Sequence, residues 1–398
     1  MTSINDINFK GKKVLIRVDF NVPLDKNKQI TDDSRIVESL PTIKKLIADG
    51  GKVIMMAHFG RPKQGGFEED YSLKPIVGYV EKMLGKKVAF TQKLLFDNEV
   101  LDMINSLQDG DVMLLENIRF YPQETKGDVD FAEKIAALGD CYINDAFAAS
   151  HRNHVSTCTL AHFFPNHRYF GYLMEHEVTN LQRLMRNAGR PFTSVIGGAK
   201  ISSKINILES LIDKSDNILI GGGMVFTFLK AQQKTIGSSL CEDDCIEEAK
   251  RIMEKAKAKN VSLLLPVDVV IADRFANDAN RKTVSADDIP SDWMGMDIGE
   301  KTSALYQDVI MKSQTILWNG PMGVFEMDNF ATGTKNVALA VADATDKGAF
   351  STIGGGDSVA AIHLFNLGER VSYVSTGGGA MLEYIEQGTL PGIDAILK

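Results

Sequence analysis

The stretch Phe350-Ser351-Thr352-Ile353-Gly354-Gly355-Gly356-Asp357-Ser358-Val359 decides the fold. Its first four residues read as a strand, three glycines follow, and Val359–Phe365 reads as a helix. Strand, glycine turn and helix in that order make half of a parallel-sheet crossover unit. The pattern repeats at once: strand Val371–Ser375, then Gly377-Gly378-Gly379, then helix Met381–Gln387. Further out, short continuous apolar runs lie at Val14–Ile16, Val53–Met56, Val112–Leu115, Tyr142-Ile143, Ser194–Ile196, Ile218–Ile220, Leu263–Leu265 and Ile316–Trp318. They do not alternate with polar residues, so both faces of each strand should be buried. Helical patterns over Asp33–Ala48, Ile205–Ile212, Ile246–Ala258 and Ala331–Ala344 separate them. The fold class is therefore α/β, with parallel sheets flanked by helices.

A chain of 398 residues exceeds what one core holds, so two domains are expected. The boundary falls in Gly171–Pro191, whose centre, Glu175–Arg186, reads as one polar helix with apolar Val178, Leu181, Leu184 and Met185. A net charge of -8 argues against a nucleic-acid partner held by phosphate attraction. Four cysteines are too few for a disulfide framework, and Cys241 and Cys245 lack a second ligand pair for zinc. The opening MTSINDINFKGKK has no apolar core of signal-peptide length, and the apolar stretch from Ser262 is broken by Pro266 and Asp268. The expectation is a cytoplasmic protein with no membrane contact.

The strand ends differ between the halves. The first half places Arg35, His58, Arg61, Arg119, His151 and Arg152 at or just after strand ends, or at a helix start. Each alone reads equally well as a surface residue or ion-pair partner. Together, at the carboxyl edge of one sheet, they suit a pocket for phosphate plus carboxylate. Asp19 and Asn21 suit a substrate hydroxyl, but before Pro23 they also make a turn. The second half offers glycines instead. Two glycine turns opening helices expose backbone N–H groups and the positive end of the helix dipole, a polyphosphate site. Asp357 fits either a helix cap or a Mg²⁺ ligand. Lys200 and Lys204, four apart, are expected on one helix face, solvated or flanking an anion. Neither a Walker loop nor a dinucleotide fingerprint is present.

The segments RVDFNVP (Arg17–Pro23), HFGRP (His58–Pro62), ENIRFYPQE (Glu116–Glu124), NDAF (Asn144–Phe147) with His151-Arg152, GGAKISSK (Gly197–Lys204), GGGM (Gly221–Met224), WNGPMGVFE (Trp318–Glu326), GGGDS (Gly354–Ser358) and STGGGA (Ser375–Ala380) together resemble phosphoglycerate kinase. The likeness runs along nearly the whole chain. It departs at Ala57, where serine is familiar, and at Ala148-Ala149-Ser150, where Gly-Thr-Ala is usual.

The resemblance implies two Rossmann-like domains facing across a cleft: residues 1–170 for 3-phosphoglycerate, 171–190 as interdomain helix and hinge, and 191–380 for nucleotide. Residues 381–398 would pack back on the first domain. Substrate residues would be Asp19, Phe20, Asn21, Arg35, His58, Phe59, Gly60, Arg61, Arg119, His151 and Arg152. Nucleotide residues would be Lys200, Lys204, Gly222, Gly223, Leu240, Gly295, Met296, Met322, Glu326, Gly355, Gly356, Asp357 and Ser358. The implied partners are 3-phosphoglycerate, 1,3-bisphosphoglycerate and Mg-ATP or Mg-ADP, with Mg²⁺ on Asp357, in a monomer.

The acceptor carboxylate is ionised near neutral pH, so no general base is needed and catalysis reduces to positioning and electrostatics. Arg35, Lys200 and the Gly378 N–H are the expected catalytic groups, and closure about the hinge would align the ligands. Two rivals are an NAD-dependent dehydrogenase, which would need the missing fingerprint, and a nucleotide-sensing binding module, which would not need Arg35, Arg61, Arg119 and Arg152 together.

Overall fold

The computed structural model describes residues 2–398. The chain divides into two compact units: Met1–Thr179 with Thr389–Lys398, and Asn180–Gly388. The helix expected between domains runs Tyr172–Arg186 and straddles that division.

The first unit is built on a six-stranded sheet in the order Val88–Ala89, Val112–Leu114, Lys52–Met56, Lys13–Val18, Cys141–Asp145, Arg168–Phe170. Every neighbouring pair is parallel. Alternate residues of one strand serve opposite faces. Val14, Ile16 and Val18 join the cluster under the helices Ser34–Ala48 and Lys74–Leu84, whereas Leu15 joins the one under Asn98–Ser106 and Val129–Ala136. Register places Arg17 opposite Met56 on one side and Asn144 on the other. All strands point the same way, so their polar ends share one edge.

The second unit repeats the plan with the order Ser262–Leu264, Asn217–Ile220, Phe192–Ile196, Thr315–Asn319, Phe350–Ile353, Tyr373–Val374. It too is parallel throughout. The central strand buries Ile316 and Trp318 under the helices Glu300–Met311 and Thr332–Asp346. An antiparallel sheet, not anticipated from the sequence, is added in the order Arg281–Ser285, Asp268–Ala272, Met294–Ile298. Its outer strand is mostly exposed and polar, so it carries little hydrophobic pattern.

Several expected boundaries move. The helices after the two glycine turns start at Gly356 and Gly378, so glycines form their first turns instead of preceding them. The last strand shortens to Tyr373–Val374. Lys200 and Lys204 do not share a helix face, because the helix begins at Ile205. The serines between them account for this. The backbone N–H and hydroxyl of Ser202 donate to Glu242, and the Ser203 hydroxyl donates to the Lys200 carbonyl. Such side-chain bonds compete with helical ones.

The helix Gly378–Gln387 stays with the second unit, where the Ser210 hydroxyl donates to the Ile385 carbonyl at 2.8 Å. The chain rejoins the first unit at Thr389, later than residue 381. There Gly392 N–H donates to Ser150 O at 2.9 Å. Ser150, in the unusual Ala148–Ser150 segment, donates its hydroxyl to Ala146 O and accepts from Asn144 Nδ2, ending the 3-10 turn Phe147–Ala149.

Asn117 ties the strand-end loops of the first unit together. Its fully buried side chain donates to Phe59 O (2.7 Å) and Tyr71 O (2.9 Å) and accepts from Phe59 N–H (3.2 Å) and Arg119 N–H (3.0 Å). Asn117→Ala strands several of these groups and should lower the opening free energy of the first unit by about 2–4 kcal/mol, read from amide exchange in Lys52–Met56.

Candidate active site

At the carboxyl edge of the first sheet, polar side chains come from four adjacent strand ends. Arg35, in the first turn of its helix, donates to Asp19 Oδ2 at 2.8 Å. The Asn21 side-chain oxygen accepts from Gly60 N–H at 2.8 Å, and Gly60 O accepts from Arg119 Nη1 at 2.9 Å. Arg152 Nε donates to His151 Nε2 at 3.2 Å. Phe59 is half-buried beside Gly60, whereas Phe20 is fully buried in the hydrophobic cluster. Arg61 is exposed, within electrostatic reach of Arg119 and Arg152.

Two members were not assigned from the sequence. Arg17 is 1% exposed and contacts His58 Nδ1 through Nη2 at 2.9 Å. Glu124 is 1% exposed and accepts from the Ser156 hydroxyl and backbone N–H. Both sit inside quoted motifs, but only their tertiary partners, far away in the chain, show that they are buried.

Charge is poorly balanced at this edge. Burial, then Arg152, Arg17 and Arg61, pull Arg119 down to about 10, with Glu124 opposing. Burial, then Arg61 and Arg17, lower Arg152. Burial and the surrounding arginines hold His58 well below the ordinary histidine value and His154 near about 4. Cations that depress one another in a partly buried cluster leave an excess of positive charge that an anion would relieve.

The second unit carries two adjoining cavities. One, of about 360 Å³, is mainly apolar and includes Gly222, Gly223, Leu240, Gly295, Met296, Met322, Glu326 and Asp357 in its lining. The other, of about 340 Å³, is lined by Lys204, Gly355, Gly356, Asp357, Ser358, Gly378 and Gly379, among others. Gly198, Ala199 and Asp357 line both. Lys200 is exposed and lines neither.

Glycine is required here for shape. Gly355 has φ +92°, and a Cβ there would sit 2.6 Å from Asn319 Nδ2. At Gly295 a Cβ would meet the Phe226 ring at 1.9 Å. The apolar cavity also uses Phe226, Phe275, Pro321 and Val324, and the unanticipated strand Met294–Ile298 forms one wall. In the polar cavity Lys204 donates to Asn319 Oδ1. Burial lowers its ammonium, with Asp357 and Glu386 opposing. Ser358 is fully buried and accepts from Gly320 N–H.

A mainly apolar slot thus adjoins a pocket edged by the first turns of two helices, on a unit distinct from the arginine cluster. A family model described as phosphoglycerate kinase matches residues 4–388. The chain belongs to the phosphoglycerate kinase family. A phosphoglycerate kinase of Porphyromonas gingivalis is 48% identical over 99% of both chains. That of Prosthecochloris aestuarii is 50% identical over 99% of this chain and 98% of its own. The solved phosphoglycerate kinase from Coxiella burnetii superposes with a TM-score of 0.91 at 41% identity, covering 100% of this chain and 98% of that one. The reaction of a phosphoglycerate kinase moves phosphate between ATP and 3-phosphoglycerate, and the dehydrogenase and nucleotide-sensing readings are not favoured.

Asp297, in the wall of the apolar cavity, accepts from Gly333 N–H (2.7 Å) and Ile298 N–H (2.9 Å). Burial nevertheless pushes its carboxyl up to about 7 from 3.8. A raised folded value means that stability is fully present below the unfolded value and is lost as pH rises through about 7. Between pH 4 and 7 the wild-type second unit should therefore lose on the order of 2–4 kcal/mol more than Asp297→Asn does. Urea titrations followed by Trp293 and Trp318 fluorescence would measure it.

Proposed function

We propose that the arginine edge of the first unit binds 3-phosphoglycerate and that the paired cavities of the second bind ATP, for reversible transfer to the acceptor carboxylate. The products are 1,3-bisphosphoglycerate and ADP. The observation that carries the acceptor assignment is the mutual depression of Arg119, Arg152 and their neighbours, which an anionic ligand would relieve. Arg35, Arg61, Arg119 and Arg152 hold phosphate and carboxylate, while Asp19 and Asn21 meet the hydroxyl.

On the donor side the apolar cavity takes the base and the polar cavity takes the phosphates. The first-turn N–H groups of Gly356 and Gly378 have no partner within their own helices and are available to phosphoryl oxygens. Lys204 adds a positive charge in the same cavity, and Lys200 reaches it only by moving from its exposed position. Asp357 is an exposed hard oxygen donor shared by both cavities, which fits a hydrated Mg²⁺. Bound there, Mg²⁺ would offset phosphate charge. Acceptor and donor groups belong to different units, so direct transfer requires both ligands to be brought together.

Each half-site is completed by residues of one chain, which supports a monomer. Among the described residues no helix is long and apolar enough to cross a membrane. The free cysteines suit a reducing compartment such as the cytoplasm.

A coupled assay of 3-phosphoglycerate with ATP tests the reading. Arg35→Ala should lower kcat by about 10²–10³ while leaving ADP affinity nearly unchanged. Comparable turnover in that variant would remove Arg35 from the transition state. Asp357→Asn should move the Mg²⁺ titration of activity to higher concentration, and an unshifted titration would exclude Asp357 as the ligand.

A further inference from the structure

The buried groups beneath the arginine edge form a chain that the reaction chemistry does not itself require. Glu124 Oε1 accepts from the Ser156 hydroxyl at 2.5 Å, and Oε2 accepts from Ser156 N–H at 2.9 Å. The same hydroxyl oxygen accepts from Arg17 Nε at 2.9 Å. Arg17 also donates through Nη1 to the Val18 carbonyl, and its Nη2 lies 2.9 Å from His58 Nδ1. Glu124, Ser156, Arg17 and His58 are all buried.

Proton bookkeeping along this chain leaves little freedom. A guanidinium only donates, so His58 Nδ1 must accept. The ring proton of the neutral imidazole then resides on Nε2. A second proton on Nδ1 would break the Arg17 bond and add a cation among Arg17, Arg119, Arg152 and Arg35. Burial and these same four arginines hold His58 well below the ordinary histidine value. Burial raises the Glu124 carboxyl, with Arg17 and the Ser156 bonds opposing; with Glu124 as the carboxylate, the Ser156 hydroxyl gives it its one hydrogen, which leaves its lone pairs for Arg17.

We propose that Glu124 and Ser156 are positioning residues which, through Arg17, hold His58 as the uncharged Nε2–H tautomer in the acceptor site. His58 then offers the acceptor a hydrogen-bond donor that does not titrate over the working pH range. The inference rests on the acceptor-site assignment above. Without the Ser156 hydroxyl, Arg17 Nε loses its acceptor and the guanidinium is drawn toward Glu124, away from Nδ1.

The test combines ring ¹⁵N spectra of histidine-labelled full-length protein with kinetics, and His58→Asn identifies the signal. Wild type should show one Nε2–H tautomer with no titration from about pH 5 to 8. In Ser156→Ala the ring should titrate within that range or mix tautomers, and KM for 3-phosphoglycerate should rise about tenfold with KM for ATP unchanged. Ser156→Thr, which keeps the hydroxyl, should restore both readouts. Glu124→Gln, nearly isosteric, should shift the ring in the same sense should Ser156→Ala fail to fold. A wild-type Nδ1–H tautomer, or ring spectra unchanged in both Ser156→Ala and Glu124→Gln, would overturn the relay. An unchanged acceptor KM in His58→Asn would instead overturn the acceptor-site assignment, and with it the purpose of the relay.

Discussion

Repulsion among the arginines at the carboxyl edge of the first sheet governs much of what surrounds them. Guanidiniums cannot shed their charge near neutral pH, so the fold must hold them against one another. Asp19 takes part of the load by pairing with Arg35, and Glu124, buried beneath, opposes the depression of Arg119. The rest of the imbalance remains directed at the edge, where a phosphorylated acid would complete it. Parallel strands make this possible, because they bring loops from four neighbouring strands to one edge without long connections across the sheet.

Under the proposed function, the second unit meets the demand for anion binding by different means. It exposes backbone N–H groups of glycine-started helices, whose partial charges cost little to assemble when no ligand is bound. A mainly apolar slot lies beside them, formed partly by a small antiparallel sheet outside the parallel core. The division fits the ligands proposed for the two units. A compact acceptor with concentrated charge suits side-chain forks, and a long nucleotide suits an extended track of backbone donors beside an apolar base pocket.

How much of this was legible in the sequence follows from where each signal resides. The parallel strands stand out because Val53–Met56 or Ile316–Trp318 must be apolar on both faces. The helices Ile205–Ile212 and Ile246–Ala258 have the bounds that their periodicity predicts. Lys200 and Lys204 were misplaced because Ser202 bonds to Glu242, forty positions away, while the Ser203 hydroxyl turns back to the Lys200 carbonyl. The strand Arg281–Ser285 was missed because an exposed edge strand needs no hydrophobic face. Arg17 and Glu124 drew no assignment because an arginine within a strand and a glutamate after a proline look solvated until Ser156 is folded against them. The arginines at the carboxyl edge of the first sheet were easier to single out, since a recurrence of like charges at strand ends is visible in one dimension.

The segment Thr389–Lys398 has a consequence for biosynthesis. Ala395 fills part of the core of the first unit, and Asn144 and Ser150 bond to Gly392. These partners leave the ribosome only after the whole of Asn180–Gly388 has been made. The amino-terminal half must therefore wait, with part of its interior unfilled, while the later half is translated and free to fold. Vectorial synthesis thus reverses the order of completion: the portion that emerges first is the last to be sealed.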